Sequence, residues 1–471
     1  MSSKDPDFLF TFSEQFLNKS LKMAFTQNLF SREFSGIHIV DVPGFLSRLK
    51  EIKYRVVMRQ PPTVDAIKSS ELKISVTMLC ELEWGLNYNT VFDTEAEILT
   101  DPEYNQSLGT LDLNVKDIQL QSIKFREGAN VPGFLMGLVN SAISSILTQS
   151  VWQENERIPL LPLVSYIELP EMPEGVGYQL PLFFLGVEVI NEKAVLLAFN
   201  LSEEQMNIPL KNESEDAELS LGISENAINR VISHWWKNTS HPKTEKISGS
   251  VEVQHLDTIV NHFSNLSFEL GLKVASLGFL ESDFKVERAW VEYVGNMKIG
   301  SPSVALSPDA FKILGRVEVI MEASLKIDVK IESRIDTSSI IPDRLTPWKD
   351  DRVLRSTNRV VTIQKMTNKR VSIDLSGMKA KVVVGKDGEL NAELTEFDVD
   401  LDIDWNIPKR LKKRFEASLE KTVMENYPVL PISSSLLNQK IKGSEIRYII
   451  KPLGVVTNVG AVEIRMNLDY V

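Results

Sequence analysis

The residues of this 471-residue chain that could do chemistry are few and scattered. Its five histidines, His38, His234, His241, His255 and His262, show no His-x-x-x-His spacing, and the lone Cys80 leaves no Cys/His set for zinc. There is no Gly-x-Ser-x-Gly elbow, no Gly-x-Gly-x-x-Gly turn and no P-loop. The reading is therefore of a non-enzyme with no cofactor and no metal. Asp398, Asp400, Asp402 and Asp404 alternate with apolar residues, but without the glycine and terminal glutamate of a calcium loop they read as the solvent face of a strand. Positive charge gathers twice. Arg344, Trp348, Lys349, Arg352, Arg355 and Arg359 read as a loop that meets anionic headgroups at a membrane surface, with Trp348 as anchor, or as a plain solvated loop. Lys409, Arg410, Lys412, Lys413 and Arg414 open a helix, where they oppose its dipole.

These clusters stand on an acidic background. The net charge is −12, which argues against a nucleic-acid partner, since that demands clustered cations. With 43% hydrophobic and 25% charged residues the chain is that of a folded protein with large cores. One cysteine and a start without a charged, then apolar, leader point to a cytoplasmic protein, or one exported without a recognisable signal peptide. The most apolar helical stretch, from Pro132 to Leu147, is too short to span a bilayer.

The dominant pattern has period two. From Leu72 to Tyr88 every second residue is apolar, a ladder of roughly 55 Å if unbroken, with Gly85 as a bulge or bend. The pattern returns at Leu266–Val274, Val317–Ile331, Phe397–Trp405 and Val462–Tyr470. Such strands are half-buried and antiparallel, and make curved sheets that need covering.

Helical patterns come in matched pairs. Ser13-Glu14-Gln15-Phe16-Leu17-Asn18-Lys19 is echoed 211 residues later by Ser224-Glu225-Asn226-Ala227-Ile228-Asn229-Arg230. Thr11 with Glu14 forms a capping box for the first, and Ser224 caps the second. A second helix opens after Val131-Pro132 in the first half and after Ile407-Pro408 in the second. Each exits through a Pro-flanked segment, Ile158–Pro162 and Tyr427–Pro431. A closing hairpin carries Leu185-Gly186-Val187 in one half and Leu453-Gly454-Val455 in the other. Three landmarks in one order predict a tandem repeat: units 8–205 and 218–471, joined by an acidic linker around 212–216.

The inward helix faces are Phe16, Leu21 and Phe25; Leu135, Val139 and Ile143; Ile228, Ile232 and Trp236; Phe415 and Leu419. They could be core, or could line a cavity for acyl chains, which need no polar partner and gain about 0.8 kcal/mol per buried CH₂. Sequence alone does not separate the two.

On the order of these elements, and on Leu219–Asn229 and Leu430–Lys440 in particular, the chain resembles the tubular lipid-binding (TULIP) superfamily. The resemblance is to its two-domain type, which includes bactericidal/permeability-increasing protein and lipopolysaccharide-binding protein. It implies an α+β fold: two tandem domains, each a long, highly curved antiparallel sheet wrapped around a pair of helices, joined by a central sheet into a boomerang. It also implies a lipid ligand, lipid transfer, the helix faces above as lipid-binding residues, and transient membrane contact. The missing leader and disulfide set this chain apart from secreted vertebrate members and suggest a bacterial relative. The alternative is an interaction protein on the same scaffold, with a protein partner in a bacterial toxin or secreted complex.

Overall fold

The computed structural model describes residues 6–28, 30–40, 50–66, 72–84, 88–105, 109–126, 136–148, 157–162, 166–170, 172, 179–190, 194–202, 217–254, 280–308, 310–336, 353–374, 378–384, 389–396, 409–433 and 448–470. The fold is α+β, mostly strand, with four helices among the described residues. In chain order the first part is β1 (Phe8–Ser13), α1 (Glu14–Thr26), β2 (Glu33–Ile39), β3 (Glu51–Met58), β4 (Thr63–Ala66), β5 (Leu72–Trp84), β6 (Tyr88–Asn105), β7 (Thr110–Phe125), α2 (Met136–Ile146), β8 (Arg157–Pro162), β9 (Tyr166–Glu168), β10 (Gln179–Pro181), β11 (Phe183–Ile190) and β12 (Ala194–Asn200). Then follow β13 (Leu219–Ser224), α3 (Glu225–Asn238), β14 (Thr244–Gln254), β15 (Leu280–Ile299), β16 (Ser303–Ser307), β17 (Ala310–Leu314), β18 (Arg316–Asp336), β19 (Val353–Asp374), β20 (Met378–Val384), β21 (Leu390–Glu396), α4 (Lys409–Asn426), β22 (Leu430–Ser433), β23 (Tyr448–Asn458) and β24 (Ala461–Tyr470).

All the strand pairings are antiparallel. One sheet runs β2-β3-β5-β6-β7-β8 with β4 on β5, a second β14-β15-β18-β19, and a third β16-β17-β20-β21-β22. The longest strands, β15, β18 and β19, have 20, 21 and 22 residues. The period-two ladder from Leu72 to Tyr88 is two strands rather than one. β5 ends at Trp84, which pairs with Tyr88 at the start of β6. Residues that pair across a hairpin share a face, so a three-residue connection leaves the alternation unbroken and hides the turn. Gly85 thus falls in that connection, outside the described residues. The ladders Leu266–Val274 and Phe397–Trp405, with the four alternating aspartates, also lie outside them. The basic segment expected to be a loop is partly strand: Arg355 and Arg359 belong to β19, where Arg359 pairs with Ile331.

A six-stranded sheet joins the two ends of the chain in the order β11-β12-β1-β13-β24-β23. Its middle pair is symmetric. Phe10 of β1 faces Leu221 of β13, the residue 211 positions later, and register runs evenly to either side. Both outer hairpins are irregular at matched places, between Phe184 and Gly186 and between Pro452 and Gly454. The two Leu-Gly landmarks of the sequence are therefore β-bulges.

The interval of 211 residues also orders the contacts. Ser13 and Ser224 are the N-caps of α1 and α3, accepting from Phe16 N at 3.2 Å and Ala227 N at 3.0 Å. Ser13, not Thr11, is thus the first cap, because β1 runs through Thr11 to Ser13 and the helix starts only at Glu14. Asn18 grips the backbone of Val64 through both amide atoms, at 2.6 and 3.1 Å, and Asn229 grips Val304 at 2.7 and 3.0 Å. Asp7 and Glu218, both almost fully buried, precede β1 and β13. Asp7 accepts from Arg230 at 3.1 Å, from Ser224 Oγ at 3.3 Å and from Leu201 N at 2.9 Å. Glu218 accepts from Lys19 and from Gln15. Each carboxylate therefore sits at the N-terminus of the helix that follows the other strand, where the helix dipole favours it.

Gly36 on β2 and Gly249 on β14 face tyrosines, Tyr54 and Tyr293, across the strand pair. A Cβ at Gly249 would stand 2.2 Å from the Tyr293 hydroxyl, which bonds Thr422 of α4 at 2.8 Å. The tyrosine ring covers the bare backbone and ties sheet to helix.

The Asn grips set a test. Asn18→Ala and Asn229→Ala each leave an N–H and a C=O of a strand without a partner. Each should cost about 1–3 kcal/mol in denaturant unfolding. Lys53→Ala, at an ion pair with Glu83 whose side chains are more than half exposed, should cost under about 1 kcal/mol. Equal losses in all three would refute the assignment.

Candidate functional site

The helix faces singled out in the sequence are deeply buried. Phe16, Leu21, Val139, Ile228, Ile232, Phe415 and Leu419 have zero exposure, and Ile143 has 1%. All belong to one contiguous apolar core. Phe16 packs on Phe12 with ring centres 5.2 Å apart, and Phe415 meets Tyr293 edge-on at 5.3 Å. At zero exposure no water-sized space adjoins a side chain, so these residues act as core in this structure, and a ligand among them would have to displace packed neighbours. Leu135 lies outside the described residues, as do Arg344, Trp348, Lys349 and Arg352. In the basic start of α4, Lys412 pairs with Glu416 at 3.4 Å and Arg414 donates to the Glu252 carbonyl at 3.1 Å, so that cluster is partly satisfied locally.

Phe25 differs from the rest of its helix face. It sits at the last turn of α1 and lines an open pocket of about 790 Å³ bounded by Phe25, Asn28, Phe30, Ser31, Arg32, Glu33, Val57, Met58, Arg59 and Arg157. The site is built where α1 stops. Asn28 takes a left-handed conformation at φ 55°, which an asparagine tolerates, and turns the chain back toward β2. The N–H of Met58 then donates to the Arg32 carbonyl at 2.8 Å, fixing the end of β3 against the start of β2. β8 brings Arg157 from about 100 residues further along the chain.

The cavity is two-sided in chemistry. Phe25, Phe30 and Met58, all buried, form an apolar floor, with the two rings 6.3 Å apart. Arg32 lies over the Phe25 ring with its guanidinium carbon 4.9 Å from the ring centre. Arg59 and Arg157 stand exposed at the rim. Of the acid groups nearby, Glu33 is claimed by Arg55, whose Nε donates at 2.7 Å and holds the carboxyl below its usual range. Asp93 is likewise lowered, first by its hydrogen bond from Arg126. Glu103 reaches Arg157 only at 3.7 Å. Such an arrangement suits an amphiphile, with an apolar portion on the floor and an anion at the rim. A second, open groove of about 510 Å³ runs along α4, lined by Leu394, Ala417, Glu420, Lys421, Met424 and Glu425.

Of this cavity the sequence reading held only Phe25. The three arginines are 27 and 98 residues apart, so no local motif could show them. The one usable sign was periodic: Arg32 and Lys243 keep the same interval of 211 as the helices, and Lys243 lies 5.8 Å over Trp236 as Arg32 lies over Phe25.

Among the described residues no group of His, Cys, Asp and Glu could hold a metal ion, and no helix is long and apolar enough to cross a membrane. Cys80 is buried, and burial first, then the charge of Asp93, pushes its thiol up to about 12.

Two solved structures are similar in outline. P47 of Clostridium botulinum E1 aligns over 99% of this chain and 100% of its own at 12% identity and a TM-score of 0.37. Lipopolysaccharide binding protein aligns over 99% of both chains at 11% identity and a TM-score of 0.32. No protein-family profile and no curated protein sequence matches the chain.

Two outcomes follow from this packing. Phe415→Ala should cost about 3–5 kcal/mol, as loss of a core aromatic does, and measured unfolding that barely moves would mean the side chain faces open space instead. Cys80 should resist iodoacetamide at pH 8 in the folded protein and react fully in denaturant, since the thiolate is the reactive form. Fast labelling of the folded chain would contradict its burial.

Proposed function

We propose that this chain is a non-enzymatic lipid-binding or lipid-transfer protein of the two-domain tubular type, with domains 8–205 and 218–471. The cavity beside α1 carries the reading: an aromatic and methionine floor under a cationic rim is what an acyl-chain amphiphile requires. Three further observations support it. The sequence resembles the TULIP superfamily in the order of its elements. Caps, grips and carboxylate clasps recur 211 residues apart, as a duplicated unit would have them. The six-stranded sheet has three strands from each half of the chain, as a central sheet between two domains would.

In this reading the acyl chain enters over Phe25 and is drawn toward Leu21, one turn back along α1, as the protein breathes. Its desolvation drives binding at about 0.8 kcal/mol per buried CH₂. Arg344, Trp348, Lys349, Arg352, Arg355 and Arg359 are the proposed membrane contacts during loading.

A second reading, an interaction protein whose tubes have filled with side chains, draws on the zero exposure of Phe16, Leu21, Ile228, Ile232, Phe415 and Leu419. The exposed Ile37 and Ile39 on the edge strand β2 also favour it, as unpaired strand edges invite partners.

The deciding experiment is mass spectrometry of organic extracts from gently purified protein, together with uptake of a fluorescent phospholipid. Co-purifying lipid and saturable uptake are expected, and Val57→Trp, which places bulk on the cavity wall, should weaken uptake at least about tenfold. No lipid and no uptake, with a stoichiometric protein captured instead, would favour the second reading.

A further inference from the structure

The two halves place the same backbone contacts around unlike side chains, and the difference bears on what binds. In the first half Met58 N donates to the Arg32 carbonyl and Arg59 N to the Thr77 carbonyl; in the second, Ile299 N donates to the Lys243 carbonyl and Gly300 N to the Arg316 carbonyl. Gly300 thus stands where the first half has Arg59. Its Cβ would meet the Arg316 carbonyl oxygen at 3.0 Å, so the place is tight for any side chain. The Pro-flanked exits align Arg157 with Asn426, each just before or within one residue of the segment that ends in β8 and β22. Trp236, bulkier than Phe25 and buried, takes the aromatic position. At the three matched places the first half has Arg32, Arg59 and Arg157 and the second has Lys243, Gly300 and Asn426, with Lys298 and Arg316 on the neighbouring strands.

We propose that the pocket at the end of α1 is the ligand-headgroup site among the described residues, and that Arg32, Arg59 and Arg157 select a phosphate-bearing anionic ligand there. This rests on the lipid-binding reading above for the acyl part, but not for the anion. Guanidinium groups offer paired N–H donors that match phosphate oxygens, and they keep their charge at every physiological pH. Arg32 is already held in place by stacking on Phe25, so little freedom is lost when it binds. Of the carboxylates near the rim, Glu33 is paired with Arg55 and Asp93 with Arg126, while Glu103 stands 3.7 Å from Arg157 and would have to yield to a phosphate there. A neutral or zwitterionic headgroup would gain less from three cations than a phosphate monoester. The second half, with Lys243, Gly300 and Asn426 in the matching places, has no guanidinium group at any of the three.

The test uses the full chain and three probes at concentrations below lipid aggregation: lysophosphatidic acid, lysophosphatidylcholine of the same acyl length, and glycerol 3-phosphate. Calorimetry gives affinity and native mass spectrometry gives stoichiometry. Lysophosphatidic acid should bind at one per chain, at least about tenfold tighter than the choline lipid. The double variant Arg32→Gln/Arg59→Gln, and Arg157→Gln alone, should erase that preference while choline-lipid binding persists, which also shows that the variants fold. Lys243→Gln should change nothing. Equal affinity for the two lipids in the unaltered protein, or a second anionic lipid lost on Lys243→Gln, would overturn the proposal. Glycerol 3-phosphate binding alone, abolished by the arginine variants, would keep the anion site and overturn the lipid reading. No binding of any probe would overturn both.

Discussion

Two buried carboxylates hold the middle of this molecule. Asp7 and Glu218 stand at the two ends of the β1–β13 pair, each receiving a cation from the helix that follows the other strand. Taking a carboxylate out of water costs several kcal/mol, so neither could be buried without donors around it. Asp7 has an arginine, a hydroxyl and a backbone N–H; Glu218 has a lysine and an amide. Because each acid reaches across the strand pair, neither helix start can move without unpairing a charge that belongs to the other end of the chain. The six-stranded sheet, the two caps and the direction of α1 and α3 all follow from that exchange.

The symmetry of the clasp makes the differences elsewhere meaningful. Where backbone geometry is the constraint, the residue type is kept: serine at the caps, asparagine at the strand grips, glycine under a cross-strand tyrosine. Where a side chain faces space that a ligand could use, it is not: Phe25 against Trp236, Met58 against Ile299, Arg59 against Gly300.

How far the sequence was legible depended on whether the signal was local. Helix caps and amphipathic faces lie within a few residues, so the cap of α3 could be read at Ser224 and that of α1 to within two residues, at Thr11 instead of Ser13. The interval of 211 between the paired serines and asparagines was visible as well. The hairpin at 85–87 was hidden because cross-strand partners share a face, which keeps parity through the turn. Apolar helix faces could be named but not assigned, since core packing and acyl-chain lining demand the same residue types. Only the packed exposure of Phe16, against the cavity beside Phe25 two and a half turns on, separates them. The rim arginines were illegible because three strands and a turn bring them together from distant places in the chain.

The acidity of the chain and its cationic cavity are compatible because they act over different distances. At physiological salt the field of an exposed charge fades over about 8 Å, so most of the carboxylates that make up the net charge of −12 are not felt inside the rim. Within it Glu33 and Asp93 are paired to other arginines and Glu103 reaches Arg157 only at 3.7 Å, so Arg32, Arg59 and Arg157 leave a local excess of positive charge. At long range the net charge disfavours broad adhesion to an anionic bilayer. On the proposed reading, a surface that repels the sheet of headgroups while the pocket beside α1 attracts one headgroup is suited to taking up individual ligands rather than to coating a membrane. That division follows from where the charges sit, and it constrains any mechanism by which this chain is loaded.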